Sequence, residues 1–404
     1  MTGPVVRASG MELLSTCDIA GRPDSLQVML SQGYAFVAHP FTGGFSVVDV
    51  RDPRRPRPVT HVPAPPGTLT LHLQLSDGIL LATNEADSSA GENYLDKEKY
   101  FGAQLGESLA GAAGYSAGVR LYDVSVPERP VETGFLPTPG FGVHRLWWPG
   151  GPLATASLML PGYSDFILSV LDVSDLARPR LLGHWAPEEI SRPGQGRTGL
   201  HHAILDRNLA YGAWRAGGLH ITDVGGEKPE PVGSLPPEAW GGGNTHTTLP
   251  LPGRGLVVLA DEAVQEHGAD GDRRIWLIDV ADPGQPRVIG ALPEPAEQDF
   301  RAMGGIFGPH NLHENRPGTW QSEDLIFTTY QNAGVRAYDI SDPSAVTEAG
   351  FAVPPPPARN VDPRASAALV PQSADLIVTA EGLVFATDLN AGMSILEFKG
   401  KQSR

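Results

Sequence analysis

Histidines recur near the start of apolar segments along this chain, and their type and spacing could supply a metal centre. They lie in the segments LTLHLQL, FGVHRLWW, GLHHAIL, NTHTTLP and GPHNLHEN, which contribute His72, His144, His202, His246 and His310 as candidate ligands. Neutral imidazole is a common ligand of transition metals. If these segments occupy one position of a repeating unit, they would bring five imidazoles from distant parts of the chain to one axis.

The elements that must position these histidines are found by self-similarity. SVVDVRDP, RLYDVSVP, SVLDVSDL, HITDVGGE, WLIDVADP and RAYDISDP share an alternating apolar run that ends in aspartate, and SILEFKG is a seventh copy with glutamate. The copies lie about fifty to seventy residues apart, a period typical of four-stranded propeller blades. Their aspartates are expected to cap the following turn by accepting backbone N–H bonds. They are Asp49, Asp123, Asp172, Asp223, Asp279 and Asp339.

Each unit also carries two earlier strand-like runs around a tight turn, so a blade comprises a hairpin of strands A and B, strand C ending in aspartate, and strand D. The seventh copy stops after its C strand, while residues 11–20 resemble a D strand without a blade. We therefore predict an all-β fold, a seven-bladed β-propeller closed by this N-terminal strand. One domain, residues 1–404, accounts for the whole chain.

The repeated segments ending in aspartate resemble the LVIVD repeat of β-propeller proteins, and this resemblance covers nearly the whole chain. The resemblance implies the propeller fold. It implies no single reaction, because propellers support many functions.

One long segment, residues 86–118, interrupts blade two between strands B and C. Its pattern is partly helical over residues 93–109, so we predict a partly helical insertion. Insertions of this length inside compact domains are commonly functional lids or mobile excursions. Because it leaves strand B at the end where the histidines lie, we expect this lid-like segment to cover the channel.

Composition excludes several classes of function. The net charge is −16 and no cluster of Lys and Arg is interleaved with aromatics, so nucleic acid is not an expected partner. Cys17 is the only cysteine, which excludes a multi-cysteine metal site. No signal segment and no apolar run of about 18 residues is seen, so a membrane is not expected either, and a cytoplasmic location is the default. The sequence leaves the oligomeric state open.

Alignment of the B strands tests which histidines are equivalent. Matching YAFVAH, ILLATN and LAYGAW places Gln27, His72 and His202 at one position without a gap. Blades three, five and six need longer hairpins to bring their histidines into this ring, and blade seven offers Gln372 or Asp375. A slip of one residue reverses the face of a strand, so His201 stays an alternative to His202. In blade six, His313 also stays open as a ligand.

Residues at the ends of the B strands would face the same mouth of the channel. Glu85 and Glu262 could orient ligand imidazoles, these two or Tyr330 could move a proton, and Arg215 could clamp an anionic group. A ring of four or more imidazoles favours Fe2+ as the cofactor, with Mn2+, Zn2+ or Cu2+ as alternatives. The arrangement is similar in architecture to the four-histidine iron centre of carotenoid-cleaving propeller oxygenases, although no motif of that family is present.

The sequence thus predicts a metal-dependent enzyme acting on a small organic substrate, carboxylated or aromatic. Oxidative Fe2+ chemistry is slightly favoured over lyase or hydrolase chemistry. The alternative is a non-catalytic interaction or ligand-binding propeller whose histidines line a water-filled channel.

Overall fold

A computed structural model describes residues 7–89, 94–95, 114–191, 197–365 and 367–400. These residues form seven antiparallel sheets, the blades of a seven-bladed propeller, and within them no α-helix occurs. Four 3₁₀ turns span Glu188–Ser191, Pro237–Ala239, Pro252–Arg254 and Arg301–Met303. None of the helices among the described residues is long and apolar enough to cross a membrane.

The strands follow the predicted order of A, B, C and D in successive blades. Numbered along the chain, they are β1 Arg7–Ser9, β2 Met11–Cys17, β3 Val28–Ser31, β4 Tyr34–Ala38, β5 Phe45–Asp49, β6 Arg57–Val62, β7 Thr68–Leu69, β8 Leu73–Ser76, β9 Ile79–Ala86, β10 Gly118–Asp123, β11 Val131–Pro137, β12 Val143–Trp147, β13 Leu153–Leu158, β14 Ile167–Asp172, β15 Arg180–Trp185, β16 His202–Asp206, β17 Leu209–Ala213, β18 Leu219–Asp223, β19 Glu230–Leu235, β20 Thr245–Leu251, β21 Leu256–Asp261, β22 Ile275–Asp279, β23 Arg287–Ala291, β24 Leu325–Thr329, β25 Val335–Asp339, β26 Thr347–Val353, β27 Ser373–Val378, β28 Leu383–Asp388 and β29 Gly392–Phe398.

Blades one to five consist of β3–β6, β8–β11, β12–β15, β16–β19 and β20–β23, and blades six and seven contain β24–β26 and β27–β29. In blade six the place of strand A is taken by a segment through Leu312, which bridges Thr328 of β24. The B and C strands are almost wholly buried, whereas the D strands are partly exposed. The apolar cores therefore lie between adjacent blades, and they leave the ends of the inner strands to form the channel.

The predicted closure of the ring by an N-terminal strand is confirmed. Strand β2 pairs antiparallel with β29 as the outer strand of blade seven, from Met11 opposite Phe398 to Cys17 opposite Met393. Strand β1, which the sequence did not predict, pairs with β26 of blade six. Gly10 joins the two at φ +63°, and a Cβ there would lie 2.8 Å from the carbonyl oxygen of Ala349. The N-terminal segment therefore covers sheet edges on two adjacent blades.

The partly helical insertion in blade two is not supported. The described residues of 86–118 contain no helix, and residues 90–93 and 96–113, where most of the helical pattern falls, lie outside the described residues. Tyr94, inside this segment, is buried.

The repeated aspartates cap turns, as predicted. The Asp123 carboxylate accepts the backbone N–H of Ser125 at 2.8 Å, and the aspartates of the other five blades make the same bond two residues ahead. These aspartates therefore stabilise the blades and lie away from the channel mouth.

Candidate functional site

A cavity of about 160 Å³ lies at the end of the propeller where the A strands begin and the B strands end. Seven residues, one from each blade, form an upper ring around it. They are Leu26, Leu71, His144, His201, His246, His310 and Ala374. Residues at the ends of the B strands or just after them also line the cavity, in six of the seven blades. They are Pro40, Glu85, Arg215, Glu262, Gln331 and Leu389.

Backbone hydrogen bonds define the register of the upper ring. The N–H groups of Leu26, His201 and His310 donate to the last residue of strand B in their blades, at 2.7–3.0 Å. The next residue along each chain segment forms a lower ring, deeper in the channel. Its members are Gln27, His72, Arg145, His202, Thr247, Asn311 and Asp375.

The ungapped match of Gln27, His72 and His202 is therefore correct as an alignment, but His202 is not brought into the histidine cluster. His201 is the equivalent of His144, His246 and His310. His202 lies one residue deeper, with its Nε2 3.6 Å from Glu314 and both ring nitrogens without a hydrogen-bond partner among the described residues. His72 belongs to the lower ring by register, yet it lines the cavity beside His144.

Strand irregularities explain why the sequence could not resolve this slip. The pairing of β12 with β13 shifts register between Val143 and Leu146, and the pairing of β20 with β21 shifts between Thr245 and Thr247. Both shifts contain the histidine itself. A β-bulge redirects the side chain that it carries. No residue type in these segments indicates that a bulge is present.

The five cavity histidines form a continuous chain of rings. The centroids of His72 and His144 are 5.3 Å apart, those of His144 and His201 are 4.7 Å apart, and His201 stacks on His246 at 3.6 Å. His246 and His310 follow at 4.4 Å. The imidazoles therefore cover the wall contributed by blades two to six.

Two sets of possible ligand atoms lie in this chain, each set within 4.8 Å. The first consists of His72, His144 and His201. The second consists of His246, Glu262 and His310, and in Glu262 Oε2 lies 3.6 Å from Nε2 of His246 and Oε1 lies 3.6 Å from Nε2 of His310. Both sets have the composition of a transition-metal site.

The Nδ1 atoms of the four upper-ring histidines all have partners in the protein. That of His144 donates to the Glu85 carboxylate, that of His201 to the carbonyl of His246 at 2.6 Å, and that of His310 to the carbonyl of Ala374. The Thr247 hydroxyl lies 3.0 Å from Nδ1 of His246. Partners of this kind fix ring orientation, as in metal sites, and leave Nε2 of His201, His246 and His310 for a ligand, whereas Nε2 of His144 faces Arg215 at 3.4 Å.

Burial sets the protonation of these groups. It lowers the pKa of His144, holds the pKa values of His72, His201 and His246 well below their usual range, and lowers that of His310 to about 4. All five rings are therefore neutral at pH 7, the form in which imidazole binds a metal. Burial also raises the pKa of Glu262 to about 7.

Two of the other predicted residues lie at the cavity and one does not. Glu85 holds His144, and Arg215 places Nη2 3.4 Å from Nε2 of His144. Tyr330 points away, packed against Phe307 with its hydroxyl 3.4 Å from the carbonyl of Arg273. The next residue, Gln331, lines the cavity instead. Gln331 has the same position in blade six as Arg215 has in blade four, so alignment of the two blades could have indicated it.

A packed polar layer closes the channel below the histidines. Arg145 donates to Asn311 and to Glu314, both at 2.9 Å, and Thr247 donates to Asn311 at 3.2 Å. Arg316 reaches the carbonyl of Trp148 at 2.7 Å from the opposite side. The cavity is therefore a closed-bottomed pocket within the part of the channel that the structure describes.

Comparisons with known proteins agree with this architecture. The LVIVD repeat matches residues 24–61, which contain the first three strands of blade one and all but the last residue of the fourth. No curated protein matches the sequence.

Solved structures with a similar fold include the computationally designed Ika8 protein, at a TM-score of 0.53 and 11% identity over 96% of this chain and 99% of that chain. A protein from Lactobacillus plantarum gives 0.53 and 12% over 80% and 82%. The β-propeller domain of Myceliophteria thermophila Cps50 (Swd1) gives 0.54 and 11% over 93% and 97%. At these identities the likeness shows the propeller fold alone.

Proposed function

We propose that this protein, an LVIVD-repeat β-propeller, is a metal-dependent enzyme that binds Fe2+ at the histidine wall of its cavity and acts on a small organic substrate. The observation that carries the proposal is the set of Nδ1 partners: four upper-ring histidines on consecutive blades each have Nδ1 fixed by the protein, and in three of them, His201, His246 and His310, Nε2 is left for a ligand. Two histidines outside the cavity use both nitrogens within the protein: His39 bonds Asp24 and Ser46, and His313 bonds Val378 and Trp320.

The set of His246, Glu262 and His310 fits Fe2+ by the chemistry of its donors. Two imidazoles and one carboxylate are the ligands of many non-haem iron oxygenases, in which bound iron leaves positions for O₂ and substrate and supplies oxidative chemistry. Glu262 lies at equal distances from both Nε2 atoms, 3.6 Å. Its negative charge would also offset part of the charge of a buried divalent ion.

The set of His72, His144 and His201 is the less favourable position for a metal. Arg215 already places a guanidinium nitrogen 3.4 Å from Nε2 of His144. A divalent ion at this position would be repelled by the Arg215 guanidinium. None of its three ligands would be a carboxylate that could offset this repulsion. We therefore assign His72, His144 and His201 to the wall beside the metal.

The residues around this wall have separate tasks in the proposed enzyme. Glu85 and His144 form a hydrogen-bonded pair that can hold or accept a proton at Nε2 of His144, and Arg215 can orient a substrate. Leu26, Leu71 and buried Tyr94 limit the access of water. Tyr94 comes from the predicted lid-like segment, whose covering role stays a prediction.

Metal analysis of protein purified without chelator and without oxygen tests the proposal. We expect about one iron per chain, and loss of at least 10-fold in iron affinity for His246→Ala, Glu262→Gln and His310→Ala. His202→Ala is the matched control, because His202 is equally buried and adjacent to the upper ring. It should retain the metal.

Two outcomes would contradict the proposal. Wild-type protein that binds no transition metal under these conditions would leave the non-catalytic ligand-binding propeller as the better account. Equal metal loss in His202→Ala and His310→Ala, with unchanged melting temperatures, would show that the upper ring does not hold the ion.

A further inference from the structure

Arg215 is a buried cation without a matching anion. Arg215 is 4% exposed, and its Nε has no hydrogen-bond partner. Among the described residues it forms no ion pair with a carboxylate. The other two arginines of the cavity wall are paired: Arg197 with Asp165 at 2.9 Å and Arg364 with Asp362 at 3.1 Å. An unpaired buried charge is costly, so this side chain fits a pocket that receives an anion.

The charge balance of the cavity points the same way. Its described lining contains three arginines and three carboxylates, and Asp165, the partner of Arg197, adds a fourth carboxylate. A divalent metal ion would therefore leave one positive charge uncompensated. One anionic substrate group beside Arg215 would balance this charge, and a guanidinium binds a carboxylate with two parallel hydrogen bonds.

The opposite wall of the cavity contains an apolar stretch beside Arg364 and Gln372. In blades seven, one and two the upper ring consists of Ala374, Leu26 and Leu71, and the adjoining B-strand ends contribute Leu389 and Pro40. A ligand that spans the cavity must therefore combine a charged end with an apolar body. The volume of about 160 Å³ is comparable to cavities of about 150 Å³ that bind benzene, so the body has the size of a single ring.

We infer that the substrate is a small carboxylate with an apolar body about the size of one ring, bound with its carboxylate on Arg215 and its body against Leu26 and Leu71. This orientation places the carbon atoms next to the carboxylate beside His144 and His201. The inference names a substrate class for the proposed function and rests on it for catalysis, but the binding step does not need the metal.

The chain itself offers the variant that tests the role of the charge. Gln331 occupies the position of Arg215 in blade six, where each residue bridges the start of the next blade. Both have positive φ, +46° for Arg215 and +40° for Gln331. Because the fold accepts glutamine in this backbone conformation, Arg215→Gln removes the charge without a new demand on the turn.

Titration calorimetry with benzoate, benzamide and acetate, on metal-free and on iron-loaded protein, tests the inference. Benzoate should bind both forms, and benzamide and acetate should bind at least tenfold more weakly, because one lacks the charge and the other the apolar body. Arg215→Gln should weaken benzoate binding at least tenfold. Leu71→Gln should weaken benzoate binding and leave acetate binding unchanged.

Equal affinities for benzoate and benzamide would overturn the inference, as would unchanged benzoate binding in an Arg215→Gln protein that melts like the wild type. The metal proposal and this inference can fail independently of each other. Benzoate binding by a protein that never takes up iron would retain the carboxylate site and refute the iron enzyme, whereas iron uptake without benzoate binding would do the reverse.

Discussion

The upper and lower rings are adjacent along the same seven chain segments, yet they have opposite properties. In the upper ring, four histidines have one nitrogen bound to the protein and border a cavity. In the lower ring, Arg145, Thr247 and Asn311 are hydrogen-bonded to one another or to Glu314 and close the channel. His201 and His202 are 2% and 1% exposed, so burial does not distinguish them. Apart from His72, which lines the cavity from the lower ring, the ring that a residue occupies decides whether it can meet a ligand.

The largest expected contrast is between Arg145 and its neighbour His144. Arg145→Ala would remove the charged donor of the buried Glu314 carboxylate and leave the Asn311 oxygen with Thr247 alone, at a cost of about 3–5 kcal/mol in the free energy of unfolding. His144→Ala, measured on metal-free protein, should cost only about 1 kcal/mol, because its side chain borders the cavity. Denaturant unfolding compares the two. Equal losses would mean that both rings are structural.

Asp375 gives a second test of the lower ring. Burial raises its pKa to about 8, so the folded protein keeps this carboxyl protonated where the unfolded chain, with a pKa of about 4, does not. Unfolding therefore releases a proton between pH 4 and 8, and this group increasingly opposes folding as pH rises through that range. Asp375→Asn should gain stability over the wild type as pH rises, by on the order of 4 kcal/mol between pH 5 and pH 8.

Thermal melting of both proteins at pH 5 and pH 8 checks this prediction. The variant keeps an oxygen to accept the Val28 N–H, which lies 3.4 Å from the carboxylate. A difference in melting temperature that is the same at both pH values would show that Asp375 is ionised in the folded protein.

The sequence predicted the fold well because its signals are local and repeated. Each C strand ends in an aspartate that caps the next turn, so the number of blades and the closure by β2 could be counted. The candidate site was predicted less completely. The choice between His201 and His202 depends on bulges at His144 and His246, and Arg364 reaches the cavity from a long connection without any repeat signal.

Acid should weaken metal binding at the upper ring by a smaller, graded amount. Burial raises the pKa of Glu262 to about 7, and the pKa of His310 is about 4. Below pH 7 the metal must therefore displace one proton from Glu262, so affinity should fall about tenfold per pH unit and stay level above pH 7. Competition with a metal chelator between pH 5.5 and 8 measures this slope. Glu262→Gln should bind weakly and show no such slope.

The location of the metal is the most direct test of the contrast between the rings. Crystals grown anaerobically with Fe2+ would give an anomalous-difference map at the iron absorption edge. We predict one peak at roughly 2.0–2.2 Å from Nε2 of His246, Nε2 of His310 and a carboxylate oxygen of Glu262. A peak beside His202 and Glu314 in the lower ring, or no peak in fully iron-supplemented crystals, would contradict the account.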